Sequence, residues 1–257
     1  MNKSIVKPGK VLYQKELGNA KSPVYWFSGV LMMGLMIWLS VFVPIENIKL
    51  MLISSPETAS FMAKIWPQTY ALIQPLWVFL LVWMFLSTEV FIAEKTDGRL
   101  EMLLTTPLKL KEIWVSKRRA LFTLIYPIVL ILNVLIFYLQ NKIWLMQMGI
   151  STGIQPATLT LAILAAPLLA YSLGSLMGLL SFLVSNPAAL QSITFLIVFA
   201  VGFGGNYLMS NLIKNASANL ITWTLVGAYF GIALIVGIIT LFLSRKLDKD
   251  YVISHTS

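Results

Sequence analysis

Cysteine is absent from the chain, and histidine occurs once, at His255 in a polar tail. The first absence excludes disulfides, thiolate catalysis, iron–sulfur clusters and cysteine-ligated zinc. The second excludes a His-based metal site or buried His base, and with it most intramembrane hydrolases, HExxH metalloproteases and Ser–His proteases included. Charge is scarce as well, at 11% of 257 residues, less than half the share in an ordinary soluble domain. No G-x-x-x-x-G-K-[ST] occurs, so the chain has no P-loop with which to hydrolyse ATP.

What the sequence holds instead is apolar surface. Hydrophobic residues make up 58% of the chain, about 149 residues, of which six membrane spans of ~20 residues would use about 120. One soluble core of this length cannot bury that much. The fold class read here is an all-α integral membrane protein with six transmembrane helices and both termini cytoplasmic.

Uncharged stretches locate the spans. Val24–Val43, Ile65–Thr88, Ala120–Asn141 and Asn215–Ser244 carry no charge. The long uncharged block between Lys142 and Lys214 is divided by polar residues. Asn141 to Pro156 reads as a loop, and Ser185-Asn186-Pro187 as a turn, because proline disfavours helix in the residue before it. The predicted spans are approximately 24–44, 65–92, 119–140, 157–184, 188–207 and 220–244, in a single transmembrane domain over 1–257. With both termini and the central charged segment inside, every basic residue of the 19 lies inside except Lys49, Lys64, Lys142 and Lys214. This meets the positive-inside rule. The net charge of +9 is therefore topology, with no nucleic-acid partner implied, and the location read is the plasma membrane, multi-pass.

The first apolar run starts at Val24 with no A-x-A-like site after it, so a cleavable signal is not expected. Before it, VLYQKELGNAKSP spaces its apolar residues helically and stops at Pro23. Val11–Ala20 is read as a short helix on the inner membrane surface, with a plain charged lead-in as the alternative.

The long charged segment is EKTDGRLEMLLTTPLKLKEIWVSKRRA, Glu94–Ala120. Helical spacing would gather Glu94, Asp97 and Glu101 on one side and Leu100, Leu103 and Leu104 on the other. Thr106 suits an N-cap and Pro107 the first position of a second helix, which runs toward Lys117-Arg118-Arg119 at the lipid headgroups. Two short surface helices, one with an acidic face, suit docking of a soluble partner; a solvated loop that only fixes topology is the alternative.

The residues Glu94, Lys95, Gly98, Leu100, Glu101, Leu103, Leu104, Thr106 and Pro107, in the pattern E-K-x-x-G-x-L-E-x-L-L-x-T-P, resemble the segment after the second span of ABC-2 type transporter permeases. Glu112-Ile113 and Lys117 fit the same pattern, and Lys15–Pro23 is similar to that family's membrane-surface entry helix. The resemblance covers about 35 residues in sequence and the whole chain in topology. It implies that 94–118 is a cytoplasmic coupling segment seated on a separate nucleotide-binding ATPase. It further implies two ATPases per complex, with ATP and Mg bound there and no cofactor on this chain. A second permease, a copy or a paralogue, completes such a complex, and membrane lipid surrounds it. The function implied is the permease subunit of an exporter, not an enzyme in its own right. The apolar spans weakly favour a hydrophobic or amphiphilic cargo such as a drug, lipid or peptide, and a secondary carrier that needs no ATPase is the alternative.

Polar groups within the spans are few. Glu89 lies near the inner end of the second span, where it either reaches interfacial water or serves the pathway. Gln74, Asn133 and Gln191 either line a pathway or bond a neighbouring helix. Ala170, Gly174 and Gly178 form a small-residue stripe that Gly227 and Gly231 repeat on the last span; packing within the chain is favoured over dimerisation. Gly202-Phe203-Gly204-Gly205 should break the fifth span. After it Asn206, Asn211, Asn215 and Asn219 recur at helical spacing, so 206–219 reads as an external amphipathic or re-entrant segment, or else a polar loop.

Overall fold

The computed structural model describes residues 8–19, 108–145, 155–183 and 218–245, with isolated positions at 31–41, 53–57, 192 and 196. All regular structure among the described residues is helical. The second span and segment 94–107 lie outside the described residues, as do the first and fifth spans apart from isolated positions in helical conformation.

Four helices carry the description. Helix α1 is Pro8–Asn19, close to the expected Val11–Ala20, and proline at its first position forfeits no intrahelical bond. Helix α2 is Leu110–Gln140, continuing in a π-helical turn at Asn141–Leu145. Helix α3 is Pro156–Leu183, with a π-helical turn at Leu161–Ala165. Helix α4 is Ala218–Ser244.

Three of these, over Leu110–Ile143, Pro156–Leu183 and Leu220–Ser244, are long and apolar enough to cross a membrane. The protein is thus compatible with a membrane protein built of helices, which satisfy every backbone bond internally. Hydroxyl groups follow the same economy. Thr123, Thr160, Thr224 and Thr240 each donate to the carbonyl four residues back on their own helix, at 2.7–2.9 Å, so no hydroxyl proton among them needs water.

Two expectations are corrected at α2. Lys109 is extended, with φ −72° and ψ 143°, so the helix starts at Leu110 and not at Pro107, and no break separates a surface helix from the third span. A helix carries its hydrogen bonds with it, so the membrane boundary is no reason to end one. At the other end, Asn141–Leu145 is helical and not loop. Asn141 supports that turn by donating from Nδ2 to Phe137 O at 2.9 Å.

Side-chain contacts set the helix directions. Trp114 Nε1 donates to Ser175 O at 3.3 Å and Tyr126 Oη to Ile163 O at 3.1 Å. Advancing along α2 therefore retreats along α3, and the two are antiparallel. Helix α4 packs on α3 all the way to the turn Pro156–Thr160, and a Cβ at Gly237 would sit 4.0 Å from Ser172 Oγ. In an antiparallel pair, Pro156–Thr160 would face positions about 12–16 residues beyond Gly237, past the end of α4. Helices α3 and α4 are therefore parallel.

Helix α3 is the centre of this group, with 67% of its apolar window buried against 39% for α2 and 33% for α4. Ala170, Gly174 and Gly178 are buried in it, where small residues let backbones approach closely. A Cβ at Gly227 or Gly231 would meet nothing within 4 Å, so among the described residues nothing packs on the second small-residue stripe. The outer face of α4, with Leu234, Ile235, Ile238 and Phe242, is exposed, as a lipid-facing surface would be.

These directions bring the start of α2, the end of α3 and the end of α4 together, with α1 packed against α2 there. Lys109, Lys111, Lys117, Arg118, Arg119 and Arg245 share this basic end, and Lys142 stands at the other.

Candidate functional site

The basic end is built from the first turns of α2. With Lys109 extended, the open backbone N–H groups of the helix start need partners. The Glu112 carboxylate accepts the Lys109 N–H at 3.2 Å, the acidic half of a capping box, while Lys109 O accepts from the N–H groups of Glu112 and Ile113 at 2.8 and 3.2 Å. Leu110, Ile113, Trp114 and Lys117 are buried immediately afterwards, so the helix is anchored in packing from its first turn.

Lys117, Arg118 and Arg119 diverge. At 100° per residue three neighbours cannot share a face. Lys117 is 0% exposed, Arg118 half-buried and Arg119 exposed, so the expectation that all three meet lipid headgroups is corrected at Lys117, which is buried in the packing of the helices. The Arg118 guanidinium lies 4.4 Å from the Trp114 ring centre and 4.9 Å from that of Tyr171. Such contacts are each worth about 0.5–2 kcal/mol. The stripe continues: Phe122 stacks on Tyr126 with centres 5.2 Å apart and meets Tyr171 edge-on at 4.7 Å. Trp114, Arg118, Phe122 and Tyr126 recur every four residues, a face that sequence reading missed although the spacing was present. Tyr171, on another helix, gave no sequence signal.

Beside this stripe lies a cavity of about 1260 Å³ between α1, α2, α3 and Phe230 of α4. Its walls change along α2. Lys111, Ser116 and Arg119 line one end together with Tyr13 of α1, and Phe122, Tyr126, Leu164 and Leu168 line the other.

Length and charge place the edge of a membrane crossed by α2. The helical segment Leu110–Ile143 has 34 residues, about 51 Å, against a hydrocarbon core of about 30 Å. The uncharged stretch between Arg119 and Lys142 spans about 33 Å at the helical rise. In a membrane crossed by α2 at its uncharged stretch, Leu110–Arg119 would extend beyond the hydrocarbon and the cavity would straddle its edge.

Of the residues singled out in the sequence, Asn133 is described. It is buried on α2 at 8% exposure, and its Nδ2 has no hydrogen-bond partner among the described residues. Gln74, Glu89 and Gln191 lie outside the described residues, as do Glu94, Lys95, Gly98, Leu100, Glu101, Leu103, Leu104, Thr106 and Pro107. The described members of the wider pattern are Glu112, which caps α2, and Ile113 and Lys117, both fully buried. Segment 206–217 is outside too, and Ala218 and Asn219 open α4. No group of three or more His, Cys, Asp or Glu able to hold a metal occurs among the described residues. No family model matches the chain, and no curated protein matches it.

Proposed function

We propose that the chain is the transmembrane permease subunit of an ABC-2 type transporter in the plasma membrane, driven by separate nucleotide-binding ATPase subunits. It spans the membrane six times with both termini inside, works beside a second permease, and exports a hydrophobic or amphiphilic cargo. The observation that carries this reading is the continuity of α2. The residues that resemble a coupling segment, Glu94–Pro107, end three residues before a helix of 31 residues. That helix is buried from its first turn and has α1 packed against it. Force applied to the segment by a partner would reach, three residues on, a helix long enough to cross the membrane.

Two further features support the topology. Gathering the basic residues at one end of the described bundle agrees with the positive-inside rule. The parallel course of α3 and α4 agrees with the expectation of one further span between them.

The experiment is charge reversal in the segment. Glu94→Lys with Glu101→Lys is expected to reduce recovery of the ATPase on a tagged copy of this chain at least tenfold, with membrane insertion unchanged. Undiminished co-purification would overturn the docking role. Transport by the purified chain alone under an ion gradient would assign it to the secondary carriers instead.

A further inference from the structure

We infer that the cavity between α1, α2 and α3 is a binding site for one anionic phospholipid taken from the adjoining leaflet. This does not depend on the transporter reading. The site is two-part in its chemistry. Lys111 and Arg119 are exposed at its mouth, beyond the hydrocarbon edge that Arg119 marks. Glu112, the one carboxylate among the described lining residues, is held by the Lys109 N–H at 3.2 Å. The mouth therefore offers two cations to an incoming headgroup against one carboxylate already engaged. Arginine and lysine at headgroup level favour anionic over zwitterionic lipid by about 1 kcal/mol each.

Inward of Arg119 the lining turns to Phe122, Tyr126, Ile163 and Leu168. From Arg119 to Tyr126 is about 10 Å along the helix, most of the half-thickness of a hydrocarbon core, so an acyl chain has a wall to lie against for most of its depth. The volume, about 1260 Å³, exceeds that of ordinary drug-sized pockets, roughly 300–1,000 Å³. A free phosphate or a short polar anion would leave the apolar part wet, and a neutral amphiphile would leave both cations without a counter-charge. A phospholipid with an anionic head satisfies both parts. Tyr13 of α1 lines the same end as Lys111 and Arg119, so the bound headgroup would also tie α1 to α2.

The full chain is purified in mild detergent and exposed to an equimolar mixture of phosphatidylglycerol and phosphatidylcholine, and bound lipid is counted by native mass spectrometry. Wild type is expected to keep one phosphatidylglycerol with at least fivefold preference over phosphatidylcholine. Lys111→Gln with Arg119→Gln should bring the ratio to within twofold of unity. Leu168→Trp, at an exposed wall position, should reduce retention of both lipids at least threefold without touching charge. Glycerol 3-phosphate at millimolar concentration should not displace the bound lipid. Equal retention of the two lipids by wild type, which requires no variant, would overturn the inference. So would an unchanged preference in a well-folded double variant, or displacement by glycerol 3-phosphate, which would mark a site for the free anion.

Discussion

The hydrogen bond from Tyr126 to Ile163 repairs a defect that proline creates. Pro167 has no N–H, so the carbonyl four residues earlier, that of Ile163, loses its regular donor. The π-helical turn Leu161–Ala165, in which the Ala166 N–H reaches back to Leu161 O, makes room for the proline ring. Tyr126 then supplies the missing donor at 3.1 Å. Tyr126→Phe keeps the ring and its stack on Phe122 and removes only the hydroxyl. Interhelical bonds in membranes average about 0.6 kcal/mol, with a maximum near 1.7, and a carbonyl that has lost its backbone donor pushes above the average. A loss of about 1 kcal/mol is expected, roughly fivefold in the folding equilibrium. Pro167→Ala restores the N–H, so in that background Tyr126→Phe should cost less than about half as much. The difference is read as a double-mutant cycle, by reversible unfolding in mixed dodecyl maltoside and SDS micelles. A Tyr126→Phe cost that is the same in both backgrounds, within about 0.3 kcal/mol, would refute the link between the tyrosine and the proline.

Arg118→Lys should destabilise the bundle by about 1 kcal/mol even though charge is kept, because an ammonium cannot stack flat on both Trp114 and Tyr171; the same micelle titration reads it, and an unchanged midpoint would deny the stack any role. The two glycine stripes should respond in opposite ways. Gly174→Leu and Gly178→Leu, in the buried centre of α3, are expected to abolish a monodisperse peak in size-exclusion chromatography, whereas Gly227→Ala and Gly231→Ala, which face open space, should leave it unaltered and shift stability by less than about 1 kcal/mol. Equal tolerance at both stripes would mean that α3 is not closely packed.

Helices α3 and α4 were legible in the sequence to within about two residues, because twenty or more uncharged apolar residues leave little else for the chain to form in a membrane. The start of α2 was not. Charges at Lys109, Lys111, Lys117, Arg118 and Arg119 read as a boundary, yet charge decides where a helix meets water and not where its hydrogen bonds stop. Burial of Lys117 escaped for a related reason: a basic triplet invites one environment for all three members, while helical geometry gives each its own. The π-helical turns carry no periodic signal, although Pro167 stood in the right place to hint at one. Of the candidate site, helical spacing pointed to Glu94–Ala120 as a docking surface, and the resemblance alone gave it the role of a coupling segment. The aromatic stripe every four residues could have been read and was not, and its partner Tyr171 became visible only once α3 was laid against α2.

Pro127 lies within α2, beside Tyr126, and Pro167 lies about one turn of α3 from Ile163. Because Tyr126 and Ile163 touch, both neighbouring helices lack a ladder bond at nearly the same depth. A bundle bends most cheaply where its rungs are missing, and here the gaps are aligned instead of scattered. Bending at this depth meets a missing rung in each of two neighbouring helices, so it costs less there than at a depth where both ladders are intact, and the tyrosine bond ties the two gaps together.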